Sequence, residues 1–423
     1  MSTASMDPLL AERRRLGTVE VFTIEAGSLP EAHAALGARL AGPARASIRR
    51  RLEVTSAADL PRQIRDARAS RAFLEERAGD DTLAREVRRG LHEYLDCLDV
   101  WGRAVGAASW LDEPLDVDGQ PVSTGDLALW AQDDNVGCQT GMLRQSDGSV
   151  LFWHTEEDRL GLTDRPRLAT FALGRETLSA YLYPYLLPGP AFGFCKDQIH
   201  AIDSLVLQRG LAAEGAFTSV ASFLVWRLRG AVPAREMLRS IAPHLDGCAI
   251  NVVRPSGHRV QGETHEIGGR HVQSRTLGTS PGSFVVQANA VLDLSSPLAE
   301  HEGLSIEERC DYDARIGRVT AALEKRLGAA GEPGPADVLR LLGSRDGGRR
   351  AFANLTVKGH FVARVTAHGV EIHIGSGSAL SGDIYSDYRY HYGEGASERL
   401  TKSPAGGLRA RVADPRCSGF SGH

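Results

Sequence analysis

Cys138 sits in the run Gly137-Cys138-Gln139-Thr140, and His154-Thr155-Glu156 follows it after a short polar break. A glycine before a cysteine leaves space for the thiol to reach the carbonyl carbon just upstream. That attack is the N-to-S shift that begins self-cleavage. If the Gly137–Cys138 bond is cut, Cys138 becomes an N-terminal residue with a thiol and a free amine on one skeleton. An α-amine titrates near ~8, so it supplies the proton acceptor that a thiol nucleophile requires. The Gly-Cys pair alone goes no further than this, because most single cysteines are small buried apolar side chains.

Such a thiol needs rigid elements to hold it. Segments 138–144 and 149–154 are apolar and separated by Ser146-Asp147-Gly148, which predicts a hairpin beginning at Cys138. Further hairpins are expected over 167–173 with 176–182, and over 192–203. Strands are also expected at 19–24, 247–254 and 257–263 (joined by Pro255-Ser256), 283–292, 351–357, 360–367 and 369–374. Helical patterns cover 29–52, 59–106, a short stretch before Asp134, 216–229, 233–244, 305–327 and 335–342. Ser305 and Glu308 have capping-box spacing. Helices, then antiparallel strands, then helices and strands again indicate an α+β class. No Pro/Ser-rich linker divides the chain, so one globular domain is expected. Residues 396–423 are Gly/Ser/Arg-rich and read as a disordered tail.

Composition removes several function classes. A formal net charge of −4 gives no electrostatic reason to expect nucleic acid or an acidic membrane as partner. The arginine runs 13–15 and 49–51 read as solvated helix faces. No signal-peptide core or membrane span is visible, and the six cysteines lack CxxC pairs, so reduced thiols in a cytoplasm are expected. His258, His265 and His271 lack metal-binding spacing, and no metal is expected. Tyr385, Tyr388, Tyr390 and Tyr392 form an aromatic cluster whose default role is packing.

The segment GCQTGMLRQSDGSVLFWHTEED resembles the signature of the penicillin acyltransferase-like family of N-terminal nucleophile hydrolases. Members carry a Gly-Cys junction, a turn glycine and then an acidic motif, here Gly148 and Glu156. His154-Thr155-Glu156 is similar to the motif of the β-alanyl-amine hydrolase branch. Pro188-Gly189 with Phe192-Gly193-Phe194, the helix around Val232–Arg239, and Val285–Leu292 follow in family order, so the resemblance covers about residues 18–375. Three positions depart from the pattern: Gln139 replaces a small hydroxyl residue, Ala290 replaces a histidine, and Asp203 stands where asparagine is common.

The resemblance implies a four-layer αββα sandwich and self-cleavage into chains of residues 1–137 and 138–423 that stay associated. It implies Cys138 as nucleophile, Asn289 as oxyanion donor, and Glu156 as the acidic group ordering the nucleophile and assisting cleavage. His154 and Gln139 would contribute to substrate binding. The reaction would be hydrolysis of a small linear amide through a Cys138 thioester, without a cofactor. The alternatives are an N-acyltransferase of secondary metabolism drawing on an acyl-coenzyme A, and a cleavage-incompetent homologue that binds or scaffolds. A homodimer is compatible with any of these.

Overall fold

The computed structural model describes residues 19–404 and 410–411, apart from 57, 134–137, 158–164, 209–211, 213, 343–356, 378–382, 385–387 and 394–400. Its strands assemble into two large sheets. The larger has the order β1 (Glu20–Glu25), β6 (Arg167–Leu173), β7 (Glu176–Leu182), β8 (Phe192–Cys195), β9 (Gln198–Leu205), β10 (His244–Ser256), β11 (Arg259–Gly269) and β12 (His271–Thr276). Only the β1–β6 pairing within it is parallel. The smaller sheet is antiparallel, in the order β13 (Phe284–Gln287), β4 (Cys138–Arg144), β5 (Val150–Glu157), β14 (Val357–Thr366), β15 (Gly369–Ser376), β17 (Tyr388–Gly393) and β18 (Thr401–Pro404). Two short pairs complete the set: β2 (Asp116–Val117) with β3 (Gln120–Pro121), and β16 (Asp383–Ile384) with β19 (Ala410–Arg411).

The helices are α1 (Leu29–Val54), α2 (Asp59–Gly79), α3 (Arg85–Ala104), α4 (Thr124–Ala131), α5 (Thr218–Leu228), α6 (Ala234–Ser240), α7 (Ile306–Ala330) and α8 (Pro335–Leu342). The two sheets face each other, with β4 against β9 and β14 against β10 and β11. On the larger sheet, α1 touches β1 and β6, α5 touches β9 and β10, and α3 packs on both helices. On the smaller sheet, α7 lies on β13 and α8 on β5 and β14. The architecture is therefore α+β, as the element order predicts. Among the described residues no helix is long and apolar enough to cross a membrane.

Burial on both faces explains why β4 and β5 read as continuous apolar runs. Toward the larger sheet they present Met142 and Phe152, part of a core that also contains Leu36, Trp101 and Trp130 from before Cys138. Toward α7 and α8 they present Leu143, Leu151 and Trp153, packed with Val319 and Leu339. Segments on either side of the Gly137–Cys138 junction thus share one hydrophobic core. Gly141 is required on the helix side, because a Cβ there would lie 2.0 Å from the Trp153 ring.

Several boundaries differ from the sequence reading. The helical stretch 59–106 is two helices, because Asp80 captures the Thr82 N–H and hydroxyl at 2.9 and 2.6 Å and turns the chain. Pro255 and Ser256 belong to β10, and the turn falls at Gly257, whose φ is +61°. The strand expected over 283–292 stops at Gln287, whose side-chain amide then bonds the Ala288 and Ala290 carbonyls, each at 2.9 Å. Strand β14 starts at Val357, and the expected segment 351–356 lies outside the described residues. The tail is not wholly without structure, since β18 and β19 fall within it and the remainder lies outside the described residues. Arg51 is not a solvated arginine: it is buried, lies 4.6 Å over the Trp130 ring and donates to Ala131 O at 3.0 Å. The run 13–15 and Tyr385 lie outside the described residues, while Tyr388, Tyr390 and Tyr392 belong to β17.

Candidate active site

Register brings the predicted residues together. In the β4–β5 hairpin Cys138 pairs with Glu156 and Thr140 with His154. Directly opposed residues share a sheet face, so all four side chains point into the space between the sheets. Cys138 Sγ donates to Glu156 Oε2 at 3.5 Å, and His154 Nε2 lies 2.8 Å from the same oxygen. The Tyr183 hydroxyl donates to Glu156 Oε1. Three donors therefore converge on one buried carboxylate. The Nε2 side of the ring therefore faces the carboxylate, and Nδ1 lies 2.8 Å from the Thr140 hydroxyl on its other side. Phe192 and Phe361 hold the His154 ring, each with ring centroids 5.8 Å away.

Behind Thr140, strand β9 contributes Asp203. Its Oδ2 accepts from Asn251 Nδ2 at 2.9 Å, and Asn251 Oδ1 accepts from the Thr264 hydroxyl at 2.7 Å. Asp203 Oδ1 is buried and has no hydrogen-bond partner among the described residues; the Thr140 hydroxyl interacts with this carboxyl without adopting hydrogen-bond geometry. Burial pushes the Asp203 carboxyl up to about 7, His154 and Thr140 pull it down part of the way, and Glu156 opposes them.

Cys138 is 3 % exposed. Burial, followed by the charges of Glu156 and Asp203, holds its thiol well above the ordinary range, while the Glu157 backbone N–H works the other way. The thiol is thus protonated at rest and must release its proton as it attacks. Glu156 is within reach to receive it. Cys138 and Glu156 open onto a cleft of about 30 Å³ with Tyr183, Pro190, Ile202 and Thr218 in its walls.

The remaining sequence candidates fall in different places. Asn289 lies two residues past Gln287, which pairs with Thr140, so the continued register runs toward Cys138. Its Nδ2 donates to Ser204 O at 2.9 Å, and Ser204 lines the same cleft. His154 does not line the cleft; it sits behind Glu156 and orients it. Gln139 faces the helix layer instead, where Arg315 of α7 donates to its Oε1 at 3.0 Å and also pairs with Glu157. Strand alternation is the reason: positions one apart point to opposite faces. Gly137 lies outside the described residues.

Sequence reasoning overlooked Thr140, Tyr183 and Arg315 as members of this neighbourhood. Thr140 was recoverable, being two residues from Cys138 and so on its face. Tyr183 and Arg315 come from remote segments with no local signal. His265, from the histidine group, bonds Ser274 Oγ at 2.8 Å, and His271 stacks on His301. No protein-family model matches this chain, and no curated protein matches its sequence.

Proposed function

We propose that this chain is a self-processing cysteine amidohydrolase of the N-terminal nucleophile type, with Cys138 as nucleophile and its two facing sheets and outer helices as the sandwich of that fold. The observation that carries the reading is the 3.5 Å contact of the Cys138 thiol with Glu156 at the edge of a cleft, on the first residue of a strand. In processing, Sγ adds to the Gly137 carbonyl carbon while the thiol proton passes to Glu156. Collapse expels the Cys138 nitrogen, which takes that proton and becomes the new amine. Water then hydrolyses the Gly137 thioester, giving a Gly137 carboxylate and a free Cys138 thiol. Described segments before and after the junction share one hydrophobic core, so the two chains remain together.

Turnover repeats the same chemistry on an external amide. The Cys138 thiol, its proton taken by the new α-amine, attacks the substrate carbonyl and forms a thioester. The amine product takes a proton and leaves, and water releases the acid. Asn289, near the cleft through Ser204, is the nearest sequence candidate for stabilising the oxyanion. His154 and Tyr183 fix the rotamer of Glu156, leaving its Oε2 aimed at sulfur. Product analysis against a panel of small acylated amines, with and without added amine, tests this reading and separates hydrolysis from acyl transfer. Failure of every amide to turn over with a processed chain would refute the hydrolase assignment.

A further inference from the structure

We infer that Cys138 Sγ, Glu156 Oε2 and His154 Nε2 constitute a binding site for one thiophilic divalent cation, with zinc the best chemical fit. The three donor atoms lie within 4.8 Å of one another, and the two contacts that pass through Glu156 are 3.5 and 2.8 Å. Zinc bonds of about 2.0–2.3 Å set tetrahedral ligands a little over 3 Å apart, so small side-chain rotations suffice. Sulfur, nitrogen and one carboxylate oxygen suit zinc, whereas calcium and magnesium require mostly oxygen. The cleft at Cys138 and Glu156 gives the ion a way in and room for a further ligand.

The second observation is the orphan oxygen of Asp203. A metal-bound imidazole normally donates its other N–H to an outer partner that fixes the tautomer. With Nε2 on the ion, Nδ1 carries the imidazole proton and donates it to Thr140 Oγ1, already 2.8 Å away. The Thr140 hydroxyl then turns from His154 to Asp203 Oδ1, which lacks a hydrogen-bond partner among the described residues. Asn251, itself held by the Thr264 hydroxyl, donates to the other oxygen of that carboxylate. The thiol proton leaves to solvent as sulfur becomes the ligand. The thiolate and the Glu156 carboxylate bring two negative charges to the dication.

Binding itself stands independently of the proposed activity. The consequence, that zinc withdraws the nucleophile and inhibits, rests on the hydrolase reading; there the freed Cys138 amine would close a chelate ring with sulfur.

The test is a zinc titration of the purified full-length chain against a chromophoric chelator, with thermal unfolding run in parallel. The expected result is one zinc per chain with net proton release and a raised Tm. Cys138→Ser should weaken binding about 100-fold or more and abolish the Tm rise. Thr140→Val, which retains all three ligands, should weaken it about 10–100-fold. Cys310→Ser, at the exposed cysteine, should change nothing. No stoichiometric zinc, or an affinity indifferent to Cys138→Ser, would overturn the site. Zinc bound to a chain that never processes would leave the site standing and sink the hydrolase reading; a processed, active chain that binds no zinc would do the reverse.

Discussion

Cys138 and Glu156 are opposed across the first rung of a hairpin, with sulfur 3.5 Å from Oε2, and no described segment stands between them. Backbone pairing fixes this relationship rather than a flexible loop, so the nucleophile and its proton acceptor keep their distance as the neighbouring chain is remodelled.

Glu156→Gln tests the acceptor. The amide preserves volume and can still accept from Tyr183 or His154 but cannot take the thiol proton. Self-processing should slow by about 10²–10⁴-fold, the range for loss of a positioned general base. Time-resolved intact mass would read it. Processing at the wild-type rate would remove Glu156 from the mechanism.

Arg315 tests what lies on the other side of the same strand. Its guanidinium is buried between Glu157 and Gln139, so Arg315→Met removes the buried cation that pairs with the Glu157 carboxylate. The expected cost is about 3–5 kcal/mol in denaturant unfolding. Adding Glu157→Gln should restore much of it. If the double variant is no more stable than the single one, the ion pair is not what Arg315 supplies.

Asp203 makes stability depend on pH. Its folded-state value of about 7 exceeds the ordinary 3.8, so between these values the folded chain binds more protons than the unfolded one. That contribution is complete at the acid end and is lost as pH rises through 7. Asp203→Asn removes the titration, so the variant's Tm relative to wild type should be higher at pH 8 than at pH 5. A difference independent of pH would contradict the assignment.

Much of this geometry was legible in the chain. The turn Ser146-Asp147-Gly148 and its apolar flanks gave the hairpin, and counting two residues from each end puts Cys138, Thr140, His154 and Glu156 on one face. The same parity carries Gln139 away from the cleft, and applying it to that residue would have predicted the partner side. Tyr183 and Arg315 were hidden for a different reason. They arrive from just past β7 and from helix α7, and side-chain convergence across layers leaves no spacing to read. The end of β13 was hidden too, because Gln287 bonds the backbone of its own loop and so ends a run that remains apolar.

Cutting of the Gly137–Cys138 bond is the event on which every proposed step turns. Intact mass of the freshly purified chain under denaturing conditions should give two species, residues 1–137 and residues 138–423, with Cys138→Ala remaining a single uncut chain. A wild-type chain that stays whole on prolonged incubation, or a Cys138→Ala chain cut at the same bond, would contradict it.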